Sequence, residues 1–122
     1  KSEAFTNANP NWAYILNPDL RKENGSVVVI SAANVLLARA EAADRGWTAE
    51  DAFAIYKSGV NASYEQWGLA APDVTYFDKA EVKFNNPAGT GANVTPIALQ
   101  RYVALYPDGT QGWSEWRRNG VP

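Results

Sequence analysis

The chain has 122 residues, with 13 acidic and 11 basic side chains giving a formal charge of −2 at pH 7, and it contains neither cysteine nor histidine. That length fits one domain able to bury most of its apolar surface, and the dispersed charge leaves no basic footprint for nucleic acid. Without Cys and His there are no disulfides, no thiol chemistry, no common zinc ligands and no usual general base; no apolar run approaches the ~20 residues of a membrane helix.

Residues 1–30 show no sustained periodicity. Asn7, Asn9, Pro10, Asn11, Asn17 and Pro18 punctuate a loop around the apolar island Trp12-Ala13-Tyr14-Ile15-Leu16. Asn24-Gly25 is a tight-turn dipeptide, and the β-branched run Val27–Ile30 reads as an extended segment or lone strand. Residues 31–68 read as a helical hairpin. Ser31 caps a helix running to Arg45, Glu41 and Arg45 pair four apart, and Gly46 stops the helix. Leu36, Ala40, Ala43 and Trp47 trace its expected buried face, and its alanines allow a neighbouring helix to approach closely. Thr48, with Asp51 three on, caps a longer helix to Trp67, with Phe53, Tyr56, Val60 and Trp67 inward and Gly59 as a close crossing point. Helix, glycine-bearing turn, longer helix is the outline of a tetratricopeptide-like (TPR-like) pair.

Residues 69–93 read as a helix and a loop. Asp73 caps a helix from Val74 to about Phe84, with Val74, Phe77 and Phe84 inward, although Val74-Thr75-Tyr76-Phe77 also has strand propensity, and Asn85–Gly91 is loop by composition. Residues 94–122 read as a second helical pair. Thr95 caps the first arm with Pro96 at the first helical position. Rows Ala98-Tyr102-Leu105 and Leu99-Val103-Tyr106 make this arm apolar most of the way round, interrupted only by Gln100 and Arg101, so its burial is expected. Asp108 and Gln111 make a capping box for the second arm, which carries Trp113 and Trp116 and stops at Asn119-Gly120. The fold class is therefore all-α: helical hairpins with long connecting loops.

Five Trp, six Tyr and four Phe make the chain rich in rings. Such rings either stack on ligands or fill a core, and their helical spacing favours the core. Trp113, Trp116 and Arg117 are expected to be core packing, with Arg117 four residues after Trp113 and in reach of its ring. Trp12 with Tyr14 is the best aromatic pair outside the helices. It is a candidate stacking surface, or else a clamp holding the loop onto the helices.

Catalytic constellations are not evident. A glycoside hydrolase needs two carboxylates facing across a cleft, whereas Glu41, Asp44, Glu50, Asp51, Glu65 and Glu115 read as helix faces, first turns and ion-pair partners. Glu115, flanked by Trp113 and Trp116, reads as an ion pair orienting them. Gly89-Thr90-Gly91 lacks the lysine of a phosphate loop, and no acid-x-acid-x-acid-glycine calcium loop is present. Asn61-Ala62-Ser63 and Asn93-Val94-Thr95 fit the glycosylation tripeptide at chance level. No enzyme activity, cofactor or metal is expected.

Two stretches carry a family resemblance. Ala98–Tyr106 followed by Gly112-Trp113-Ser114-Glu115-Trp116-Arg117-Arg118-Asn119-Gly120-Val121-Pro122 resembles the C-terminal signature of SusD/RagB-type proteins. Val35–Trp47, reading VLLARAEAADRGW, is similar to a second hallmark of that family. The sequence departs from the pattern at Asn34, Tyr102, Asn119 and Val121. The resemblance implies a C-terminal-region fragment of a longer, lipid-anchored, surface-exposed outer-membrane protein. Such a protein binds oligosaccharides or polysaccharides without catalysis, through aromatic and polar side chains, and partners a SusC-like TonB-dependent transporter. Contact with the membrane would be only through the parent's lipid anchor. The rival reading is a TPR-type adaptor that binds peptides in a helical groove.

Overall fold

A computed structural model describes residues 23–85 and 89–122. Among these residues there are four α-helices, a short 3-10 helix and no strand: α1 Ala32–Asp44, α2 Ala52–Gln66, the 3-10 turn Val74–Asp78, α3 Val94–Ala104 and α4 Gly109–Asn119. Val27–Ile30 is exposed, forms no strand and bends at residues 29–30. Helices α1 and α2 form an antiparallel hairpin, α3 packs chiefly on α1, and α4 packs on α3.

Local chemistry sets most helix ends. The Ser31 hydroxyl accepts the Asn34 N–H at 3.1 Å, and Gly46 takes the left-handed conformation (φ 73°) just past the end of α1. Helix α2 starts later than the Thr48 reading predicts. Asp51 is its cap, accepting the Ala54 N–H at 2.9 Å, so residues 45–50 are left to reverse the chain. Glu50 pairs instead with Arg39, across the hairpin.

Of the expected inner face of α1, Ala40 and Ala43 are buried, whereas Leu37 rather than Leu36 fills the core and Trp47 does not. Ala33, Leu37, Ala40 and Ala43 are buried, together with Glu41 and Asp44. Leu36 is half-buried, and Trp47, beyond the helix end, is 74% exposed with the Arg45 guanidinium 5.4 Å from its ring centroid. The crossing at Gly59 is as expected. A Cβ built there would lie 2.8 Å from Leu37 Cγ, so the absence of a side chain lets α2 close onto α1.

Tyr56 is the largest fully buried side chain; Phe53 and Trp67 on the same helix are only half-buried. The Tyr56 hydroxyl donates to the Val82 carbonyl at 2.8 Å, and burial pushes its pKa well above the usual phenol range. Its ring sits 5.5 Å from Phe84 and 6.1 Å from Phe77, while Phe53 lies 5.3 Å from Phe84. The expected 74–84 helix is only a 3-10 turn, Val74–Asp78, capped by Asp73. A second turn follows, in which the Lys79 carbonyl accepts the N–H groups of Val82 and Lys83 at 2.9 and 2.8 Å, and Val82 and Phe84 are buried. Val74, expected inward, is exposed.

In α3, Ile97, Ala98, Gln100 and Ala104 are buried, as is Leu105 just past its end, while Tyr102, Val103 and Tyr106 are exposed. Of the two apolar rows only Ala98 and Leu105 therefore lie in the core, and Leu99 is half-buried. Gln100 is accommodated because the Tyr76 hydroxyl donates to its Oε1 at 3.1 Å. The cap is Asn93, not Thr95, and its side chain makes no bond to its own helix. Pro96 still sits in the first turn, where the missing N–H has no intrahelical partner to lose. Helix α4 begins as predicted. Asp108 Oδ1 accepts the N–H groups of Thr110 and Gln111 at 3.0 Å, Gln111 Nε2 donates to Asp108 Oδ2 at 2.8 Å, and Gly120 (φ 67°) ends the helix. These bonds, the Gln111 N–H first, hold the Asp108 carboxyl below its ordinary range.

Candidate functional site

Two buried polar assemblies decide how the helices present their surfaces. In the first, fully buried Asp44, at the end of α1, accepts the Asn93 N–H at 2.9 Å and Asn93 Nδ2 at 2.7 Å. Asn93 Nδ2 also donates to the Asn85 carbonyl at 2.8 Å, and the Gly91 N–H donates to the Asp44 carbonyl at 2.7 Å. The carboxylate thus sits at the positive end of α3 and stands in for the cap that Asn93 does not supply. With Asn93 fully enclosed, the tripeptide beginning there is closed to glycosylation.

The second assembly joins α1, α3 and α4. Glu41 and Glu115 are each 5% exposed. Arg118 forks onto Glu41 with bonds of 2.7 and 2.6 Å and onto Glu115 at 2.7 Å. Arg45 reaches Glu41 at 3.0 Å, as the spacing predicts, and Arg101 lies 3.7 Å from Glu41 and 3.6 Å from Glu115. Asn119 Nδ2 donates to Glu115 Oε1 at 2.6 Å, and Arg101 Nε donates to Asn34 Oδ1 at 2.8 Å. The Arg118 bonds outweigh burial and hold Glu41 below the usual carboxylate range; the same bonds, Glu41's foremost, raise Arg118. Glu115 is an ion pair, as expected, but its task is to dock α4 rather than to orient tryptophans.

Helix α4 is consequently inverted relative to an ordinary amphipathic helix. Gly112 and Glu115 are its buried residues, and Trp113 and Trp116 point outward, 57% and 40% exposed. This corrects the expectation that the indoles are core packing. Their rings stack on one another, with centroids 4.8 Å apart and planes 31° apart, and not on Arg117. The reason is the charged cluster, which claims the inner face and leaves the indoles the outer one. On the neighbouring helix Tyr102 and Tyr106 are also exposed, and Trp67 packs 5.7 Å from Tyr106. A cleft of about 380 Å³ opens elsewhere, between α2 and the 3-10 turn, over Phe53, Phe77 and Phe84 with Lys57 and Lys83 at its rim.

Sequence reasoning missed the α3–α4 aromatic face. Its one signal was the pairing of Trp113 and Trp116 with Glu115 between them. The sequence candidates Trp12 and Tyr14 lie outside the described residues. Among the described residues no group of three or more acidic side chains is placed to hold a metal ion, and no helix is long and apolar enough to cross a membrane.

The fold and this face define a helical scaffold that displays aromatic rings at its surface. Residues 3–122 match the SusD-like family model, described as starch-binding and associating with the outer membrane. The chain belongs to that family: a glycan-binding protein associated with the outer membrane. No curated protein and no solved structure matches it.

Proposed function

We propose that the chain is part of a non-catalytic glycan-capture component that works at the cell surface with a SusC-like TonB-dependent transporter. The observation that carries this reading is the family match across residues 3–122. The exposed rings of the α3–α4 face support it, because a flat aromatic surface suits the C–H face of a sugar while its rim bonds hydroxyls. The buried carboxylates support the absence of catalysis. Glu41 and Glu115 are committed to guanidinium partners and Asp44 to Asn93, whereas hydrolysis requires an acid and a base facing a sugar across a cleft. Trp12 and Tyr14 are proposed as additional stacking residues.

Isothermal titration with a panel of soluble oligosaccharides tests this. Binding is expected without release of reducing ends on prolonged incubation. Alanine replacement of Trp12 and Tyr14 together is expected to weaken binding while the far-ultraviolet helical signal stays unchanged; wild-type affinity in that variant would remove the pair from the site. Binding of no glycan, together with binding of a peptide, would favour the TPR-type adaptor instead.

A further inference from the structure

We propose that the cleft beside Arg101, where α1, α3 and α4 meet, binds an acidic sugar: a pyranose ring that carries a carboxylate. The proposal rests on the glycan-binding reading above and adds to it a location and a ligand charge.

The first argument is a charge imbalance. The cluster sets three guanidiniums, those of Arg45, Arg101 and Arg118, against two carboxylates, those of Glu41 and Glu115. Arg118 takes both carboxylates at hydrogen-bond distance and Arg45 takes Glu41, whereas Arg101 stays 3.7 Å from Glu41 and 3.6 Å from Glu115. Arg101 is therefore the spare cation. Its Nε–H bond to Asn34 is the one hydrogen bond it donates from its side chain among the described residues.

The second argument is the space beside it. A cleft of about 250 Å³ opens over Arg101 and Arg118, room for one sugar ring rather than a chain. The third is the chemistry of its walls. On the α1–α3 side, the terminal nitrogens of Arg101 and the Asn34 Nδ2 are donors with no hydrogen-bond partner among the described residues. On the α4 side, Gln111 Oε1 and Ser114 Oγ are acceptors. The Gln111 amide N–H is already committed to Asp108, and the Ser114 hydroxyl donates to the Thr110 carbonyl. Glu115 also lines the cleft, but it is buried and both its oxygens accept from Arg118, so its charge is compensated within the cluster. Asp108 is likewise held by three N–H donors of its own helix.

A cleft with donors on one wall and acceptors on another selects its occupant. A carboxylate bonds the guanidinium and the Asn34 amide, and hydroxyls on the same ring donate to Gln111 and Ser114. An uncharged sugar leaves Arg101 without its counter-charge, and acetate or phosphate leaves the α4 wall unused. The ligand that answers both walls is a polyhydroxylated carboxylate, which within a glycan is a uronic acid.

The test is calorimetric titration of trigalacturonate, its methyl ester, acetate and maltotriose into the wild-type chain and into R101Q and S114A. Trigalacturonate is expected to bind at least roughly tenfold more tightly than its ester, and less tightly as salt rises, because the ester lacks the charge-assisted bonds to Arg101. R101Q is expected to erase that preference. S114A, at an exposed position, is expected to weaken trigalacturonate roughly threefold while its melting temperature stays within about 3 °C of wild type. Should R101Q melt much lower, S114A decides alone, and wild-type affinity there overturns the site. Equal affinity for acid and ester overturns the part given to the carboxylate, and wild-type affinity in a well-folded R101Q overturns the location. Acetate binding as tightly as trigalacturonate makes this a small-anion site and overturns the sugar. Binding of maltotriose without trigalacturonate overturns the inference and leaves the glycan-binding reading intact; binding of no glycan overturns both.

Discussion

Replacing Asp44 by alanine is expected to lower unfolding free energy by about 3 kcal/mol, the largest effect expected at a polar side chain among the described residues. The side chain is fully buried and is the acceptor for both the main-chain and the side-chain N–H of Asn93. Alanine removes the acceptor and leaves two donors enclosed, each costing ~1–3 kcal/mol when unpaired. The carboxylate also sits at the C-terminal end of its own helix, where the dipole disfavours it, so the positive end of α3 must offset that as well. Asp44→Asn retains one acceptor oxygen and is expected to fall between wild type and alanine. Urea unfolding followed by far-ultraviolet circular dichroism measures all three. A loss below about 0.5 kcal/mol for alanine would mean that the Asp44–Asn93 contact does not hold α3 to α1.

Glu41→Ala is expected to cost about 2–3 kcal/mol near neutral pH. The full penalty for breaking a buried ion pair, about 3–5 kcal/mol, is reduced because Arg118 remains partly in water. The sign with pH follows from Glu41's depressed carboxyl pKa, held down chiefly by its bonds from Arg118. A carboxyl lowered on folding contributes stability above the ordinary glutamate range and loses it as pH falls through its folded value. Wild type should therefore weaken between about pH 5 and pH 3, and Glu41→Gln should weaken less over that interval because its amide does not titrate there. Parallel acid-unfolding curves for wild type and Glu41→Gln would contradict this role for the cluster.

How much of this was legible in the sequence depended on how far apart the interacting residues lie. The ends of α4 were readable because Asp108, Gln111 and Gly120 act within one turn of the residues they serve. The same holds for Ser31 and for the Glu41–Arg45 pair. The start of α2 was misread because Thr48 and Asp51 are both good caps, and only the space needed to reverse the chain chooses between them. The inner face of α4, and parts of those of α1 and α3, were misread for one shared reason. Hydrophobic periodicity assigns polar and charged residues to water, yet Glu41, Asp44, Gln100 and Glu115 point inward, each satisfied by a distant partner. Arg118 and Glu41 are 77 residues apart, and Asn93 and Asp44 are 49 apart; no local pattern announces such pairs. Once Glu115 turns inward the helical period sends Trp113 and Trp116 outward, so misplacing the glutamate also misplaced the indoles.

The outward turn of α4 is what the aromatic-surface reading requires, and fluorescence reports it directly. In a chain whose other three tryptophans are replaced by phenylalanine, Trp113 and Trp116 should emit at the long wavelengths of water-exposed indole and be quenched efficiently by acrylamide. Short-wavelength emission with weak quenching would place the indoles in the interior and contradict the inverted helix.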